Sequence, residues 1–137
     1  MFLLVIGLVW AILGIVGLWK VFSKSDEAGW KSIIPIYNEY VLWKISGRSF
    51  LRFFAIEFVL LFLSSMFNGG AENGTLIGNL FSLGWCFYSI YEYFMVYRNL
   101  AKSFGKGTGF AVGLLFLSPI FLLILGFGDC QYNKIEE

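Results

Sequence analysis

The chain has 137 residues, 58% of them hydrophobic and 14% charged, a net charge of +1, and no histidine. A soluble domain ordinarily carries about 25% charged residues, and a chain this short keeps too much surface to hide so many apolar side chains from water, so the composition fits a lipid solvent. The near-neutral balance excludes the basic footprint of a nucleic-acid binder, and the missing histidine removes the commonest general base and metal ligand together.

In chain order, the first apolar run covers residues 2–19. It lacks a basic start and a small-residue cleavage site, so it reads as a retained helix rather than a signal peptide. Residues 20–50 follow, with a mixed aromatic and basic character. Pro35 suits a first helical turn, and Gly47 suits a helix end. A short amphipathic helix is expected over 35–46, lying in the membrane interface with Trp30, Pro35, Tyr37, Asn38, Tyr40 and Trp43 at headgroup depth. Three further apolar runs occupy 51–67, 80–97 and 110–127, each near the short end of what spans a hydrocarbon core. The expected fold is therefore an all-α membrane protein. It has one integral domain of four transmembrane helices, with the interfacial helix in the first cytoplasmic loop.

Orientation follows from charge. On an alternating four-helix path, Lys20, Lys24, Lys31, Lys44, Arg48, Arg52, Arg98, Lys102 and Lys106 fall on one side, nine of the ten basic residues, and Lys134 falls on the other. The positive-inside rule makes the crowded side cytoplasmic, which sends both termini outside.

Within the apolar runs the unusual residues are Glu57 and Glu92. Counted from Leu51 and Arg98, each sits roughly 9 Å below the cytoplasmic surface, and antiparallel neighbours would bring them to matched depth. Two carboxylates held together share a proton or take up a cation. The structural alternative pairs each with Arg52, Arg98 or a loop lysine. In that case Arg52→Leu, which strands a carboxylate, should destabilise more than Glu57→Leu. Tyr88, Tyr91, Tyr93 and Tyr97 flank Glu92, as a polar pocket or as an interfacial belt. Gly105, Gly109 and Gly113 recur every four residues and would let a backbone approach closely. Asn73-Gly74-Thr75 is a glycosylation triplet that chance readily produces. Cys86 and Cys130 lie too far apart in sequence and setting to suggest a disulfide framework or a zinc site.

Trp30, the string Pro35-Ile36-Tyr37-Asn38, the stretch Leu100–Phe110 (LAKSFGKGTGF), the closing Leu125-Gly126-Phe127-Gly128 and Tyr132 together carry a resemblance. Over roughly residues 19–132 the chain resembles a group of small bacterial multi-spanning membrane proteins of unknown function, sometimes related to signal peptidase I. The resemblance implies a bacterial plasma or inner membrane and supplies no activity. A signal-peptidase-like reading would use Ser64 of Ser64-Ser65-Met66. Its activating lysine is missing on that face, where only Lys134 stands, and a serine without a base is a weak nucleophile.

The expected function is a non-catalytic membrane component that binds a partner protein, or a second copy of itself, through its helices and basic cytoplasmic face. The alternatives are an oligomeric transporter or channel for a proton or small cation using Glu57 and Glu92, and, remotely, a protease. No cofactor, metal or nucleic acid is expected; the lipid bilayer is the constant partner.

Overall fold

A computed structural model describes residues 1–69 and 74–135, and Asn73 of the glycosylation triplet lies outside them. Its described residues form six α-helices: α1 (Phe2–Lys24), α2 (Pro35–Ile45), α3 (Phe50–Asn68), α4 (Leu76–Ser103), α5 (Thr108–Phe116) and α6 (Ser118–Phe127), with a 3₁₀ turn at Gly29–Ser32. They divide into two compact units, one of residues 1–48 and 94–137, the other of residues 49–93.

The all-α expectation holds, but the count of spans does not. Among the described residues two helices, α1 and α3, are long and apolar enough to cross a membrane, rather than four. The first of them lies next to the N-terminus, where a signal sequence would also stand. The expected third span is part of α4, a 28-residue helix. Asn79, Ser82, Ser89, Glu92, Arg98 and Asn99 dilute its apolar character. The expected fourth span is broken: Leu117 leaves helical geometry at φ −125° and ψ 45°. Pro119 follows, which has no N–H to donate and restricts the residue before it.

That break reverses the end of the chain. In the first unit, a methyl group built on Gly14 would stand 3.7 Å from Pro119 Cγ, and one on Gly17 would stand 2.8 Å from Leu122 Cβ. Further along, one on Gly126 would stand 2.6 Å from Lys20 Cβ. The residue numbers rise together, so α6 runs parallel to the C-terminal half of α1. Across the bend, the rings of Phe110 and Phe121 meet edge to face at 4.8 Å. In an unbroken helix, residues that far apart in sequence are separated by about 16 Å. Helices α5 and α6 therefore form a V with its tip at Leu117.

Both feet of the V stand near the end of α4. The Asn133 amide donates to the Ser103 carbonyl at 2.7 Å, and five residues reach at most about 17 Å, whether from Ser103 to Thr108 or from Gly128 to Asn133. The tail is stitched there by the Tyr132 hydroxyl, which donates to the Ile45 carbonyl at 2.9 Å, and by the Tyr132 ring, which meets Phe104 in a tilted contact at 5.6 Å. Asn99 Nδ2 donates to the Ser46 carbonyl at 3.0 Å and joins α4 to the end of α2. The C-terminal tail therefore lies with the basic segments, at the end of α1 away from Met1.

Lys24 holds the arrangement. Its ammonium donates to the carbonyls of Leu125 at 2.8 Å, Gly128 at 2.5 Å and Cys130 at 3.1 Å. Two parallel helices bring two partial negative ends together, and a cation there satisfies orphan carbonyls and offsets both dipoles. Beside it, the Lys20 ammonium stands 5.3 Å from the centre of the Phe127 ring.

Helix α2 starts at Pro35 as expected. It ends in a left-handed Gly47 (φ 73°), with Arg48 N–H bonded to the Trp43 carbonyl and Gly47 N–H to that of Lys44. This is the hydrogen-bonding pattern that glycine completes at a helix end. Asp26 takes the same role after α1 at φ 59°. Glu27, with a side chain only 10% exposed, accepts from Lys31 at 2.7 Å and Lys44 at 2.5 Å. The two ammonium groups hold its carboxyl below the ordinary 4.5, and Glu27 in turn raises Lys44. Val41, Leu42, Trp43 and Ile45 are buried, whereas Trp30, Ile33, Ile36, Tyr37 and Tyr40 stay exposed. Trp43 is thus a core residue and not one of the interfacial aromatics.

The second unit is an antiparallel hairpin of α3 and the first part of α4. Phe53 stacks on Tyr88 at 6.0 Å, and Phe67 stacks on Phe81 at 5.7 Å. Near the turn, the hydroxyls of Ser64 and Ser82 share a 2.6 Å hydrogen bond. Thr75 Oγ1 accepts from the Gly78 amide at 3.0 Å and caps α4.

If α1 and α6 meet as described, Gly17→Ile forces the α6 backbone outward and costs about 1–3 kcal/mol of stability. Gly7→Ile, where a side chain meets open space, should leave the thermal midpoint in detergent unchanged. Equal effects of the two substitutions would contradict the close approach at Gly17.

Candidate functional site

The carboxylate of Glu57 points at α4 and not at its own helix start. Trp85 Nε1–H donates to one oxygen, and the Ser89 hydroxyl donates to the other. The single Ser89 hydroxyl proton is shared with the Trp85 carbonyl, 2.8 Å away. Trp85 and Ser89 are one helical turn apart, so both side chains face the same way. Each carboxylate oxygen has two acceptor sites, and these neutral donors use one on each.

Around Glu57 lies an open groove of about 510 Å³, lined by Phe53, Phe54, Phe58, Trp85, Ser89 and Tyr93, with Leu61, Cys86 and Ile90 completing its walls. Phe53 is clamped between Tyr88 and Tyr93, the latter edge-on at 5.8 Å. Phe54 and Phe58 are exposed at the rim. The groove is an aromatic trough whose polar groups are one carboxylate, its hydroxyl and indole donors, the Tyr93 phenol and the Cys86 thiol.

The expected acidic pair does not form at matched depth. Glu57 lies level with 85–89 on α4, so Glu92 is offset by about five residues, roughly 7.5 Å along the axis. The offset is set at the turn: Glu57 stands eleven residues before Asn68, whereas Glu92 stands seventeen after Thr75. Glu92 is buried at 6% exposure and is not part of the groove lining.

Of the other expected residues, Tyr88 packs on Phe53 and Tyr91 is 55% exposed. The Tyr97 hydroxyl lies 3.4 Å from Ser118 Oγ at the tip of the V. Arg52 is exposed, and Arg98 Nη1 approaches Met95 Sδ at 4.0 Å. The glycine row is not one surface. Gly105 is the left-handed residue that ends α4 (φ 70°), Gly109 faces open space, and Gly113 meets the Phe121 ring within the V. Ser64, the serine of the peptidase-like reading, spends its hydroxyl on Ser82 and on the Gly78 carbonyl at 3.3 Å. Among the described residues no group of three or more Cys, Asp or Glu could hold a metal ion.

Trp85 and Ser89 were not singled out from sequence. Their signal was available: counting eleven residues back from Asn68 and eleven on from Thr75, the two ends of the turn, sets Glu57 opposite residue 86.

Glu57→Leu leaves the Trp85 indole N–H without an acceptor and should cost about 1–3 kcal/mol. Arg52→Leu, at an exposed position, should stay within about 0.5 kcal/mol. This reverses the order expected for a Glu57–Arg52 pair, and thermal melts in detergent distinguish the two; a larger loss at Arg52 would contradict the geometry.

No curated protein and no solved structure is significantly similar to the chain. A family pattern matches residues 30–134, most of the chain, and the protein belongs to that family, a family of unknown function (DUF5684).

Proposed function

We propose that the protein is a non-catalytic integral component of a bacterial cell membrane that binds a partner molecule within the bilayer, at the α3–α4 groove. The observation that carries this reading is Glu57, an acidic group offered into an aromatic trough with two neutral donors, Trp85 and Ser89. An ionisable group in an apolar helical hairpin is costly and marks function by default. Largely apolar grooves of this size with a few convergent polar groups are what ligand sites look like. Coupled carboxylate chemistry is disfavoured by the offset of Glu92.

The proposed topology is three crossings, by α1, α3 and α4, and a re-entrant V of α5 and α6. Helix α6 has ten residues, about 15 Å, which is half of a hydrocarbon core of about 30 Å. Such irregular backbone at depth is tolerated where protein buries it, and Pro119, Leu122 and Leu125 are buried. With the V returning, Lys134 joins the other nine basic residues on one side. The charge asymmetry is then complete, which supports a cytoplasmic basic face. Residues 1–12 of α1 are exposed all round and apolar, as lipid contact requires. Trp30, Tyr37 and Tyr40 suit headgroup depth beside that face.

Compartment reporters fused after Lys106 and after Lys134 should report the cytoplasm, and one inserted after Thr75 the opposite side. A reporter after Lys134 that agrees with the one after Thr75 would overturn this topology.

A further inference from the structure

We infer that the α3–α4 groove binds a lipophilic organic cation, with Glu57 as its counter-ion and the surrounding rings as its walls. The inference rests on the proposal that the groove is a binding site, and it names the chemistry of what enters.

Glu57 presents a carboxylate whose hydrogen bonds come from an indole N–H and a hydroxyl, both neutral. Such donors solvate the group without cancelling its charge, and each oxygen keeps one acceptor site. In apolar surroundings an anion gains most from a cation that can approach it closely. The walls select the kind of cation. Phe53, Phe54, Phe58, Trp85 and Tyr93 are half of the ten lining residues, and aromatic faces attract cations within about 6 Å of the ring centre, most strongly when water is excluded. The Trp85 N–H donates to the carboxylate, which draws electron density onto the indole face and strengthens that attraction.

An inorganic cation fits poorly. A hard metal ion takes six or more oxygen ligands, whereas the lining supplies one carboxylate, one serine hydroxyl and one tyrosine. A cation that carries its own apolar shell buries that shell against the rings and reaches Glu57 without a hydration sphere to shed. About 510 Å³ lies within the range of small-molecule sites, and the exposed rim of Phe54, Phe58 and Ile90 gives entry from the side.

Cys86 makes the proposal directly testable, because this exposed free thiol belongs to the lining. The full chain, purified in detergent, is titrated with radiolabelled tetraphenylphosphonium and with the neutral triphenylphosphine oxide. The rate of Cys86 alkylation by N-ethylmaleimide is followed in the same samples, with Cys130 replaced by serine. The expected result is saturable binding of the cation that slows Cys86 alkylation, at least tenfold weaker in Glu57→Gln and weaker in Phe58→Leu, with the neutral compound binding less well throughout. Phe58→Leu alters only an exposed rim residue, so it serves as the test if Glu57→Gln does not fold. Equal binding of cation and neutral compound, unchanged by Glu57→Gln, overturns the counter-ion assignment and leaves the groove a binding site. Binding of neither compound, with Cys86 unprotected, overturns both.

Discussion

The end of this chain turns on one ammonium group. Lys24 closes α1 and at the same time donates to three carbonyls at the end of α6 and in the residues beyond it. Parallel neighbouring helices have a disadvantage that antiparallel ones lack: their negative ends coincide. A lysine placed at that point removes the disadvantage and satisfies carbonyls that would otherwise be orphaned. The glycines at 17 and 126 bring the two backbones close enough for its reach. From there the tail returns to Ser103 and Ile45, which ties the ends of α1, α2, α4 and α6 into one layer of polar contacts. Glu27 with Lys31 and Lys44 extends that layer.

The second unit is organised differently. Its hairpin is zipped by rings and by small hydroxyls, Ser64 with Ser82 near the turn and Glu57 with Trp85 and Ser89 further along. The serine pair is ordinary glue between apolar helices. The glutamate is not: a carboxylate is a costly way to join two helices, and a neutral side chain would serve structure as well. That excess of chemistry over structural need is why the proposed binding site is centred on Glu57.

Much of this was legible in the sequence. The apolar runs gave the helices, Pro35 and Gly47 gave both ends of α2, and Glu57 stood out as an acidic residue in greasy surroundings. What escaped was long-range. Residues 110–127 are apolar enough to score as one span, and hydropathy is blind to the bend that Leu117 and Pro119 introduce. The bend alone reverses the direction of α6 and the side on which the tail emerges. Gly105, Gly109 and Gly113 had the spacing of a packing motif, yet one ends a helix and another faces open space. The close approach instead uses Gly17 and Gly126, whose partnership depends on a parallel pairing that no local pattern announces. Glu57 and Glu92 match in depth only when each is counted from the basic end of its apolar run. Counted from the turn, Glu57 is eleven residues away and Glu92 seventeen, which puts Trp85 and Ser89, rather than a second carboxylate, beside Glu57.

The parallel pairing of α1 and α6 fixes distances that can be measured directly. Spin labels at Ile12 and Ile120, and separately at Ile12 and Phe127, can be compared by pulsed electron–electron resonance in a background with Cys86 and Cys130 replaced by serine. The parallel arrangement predicts that the pair ending at Phe127 is the longer by about 10 Å. If that pair is instead the shorter, α6 runs antiparallel to α1, and both the V and the returning tail are wrong.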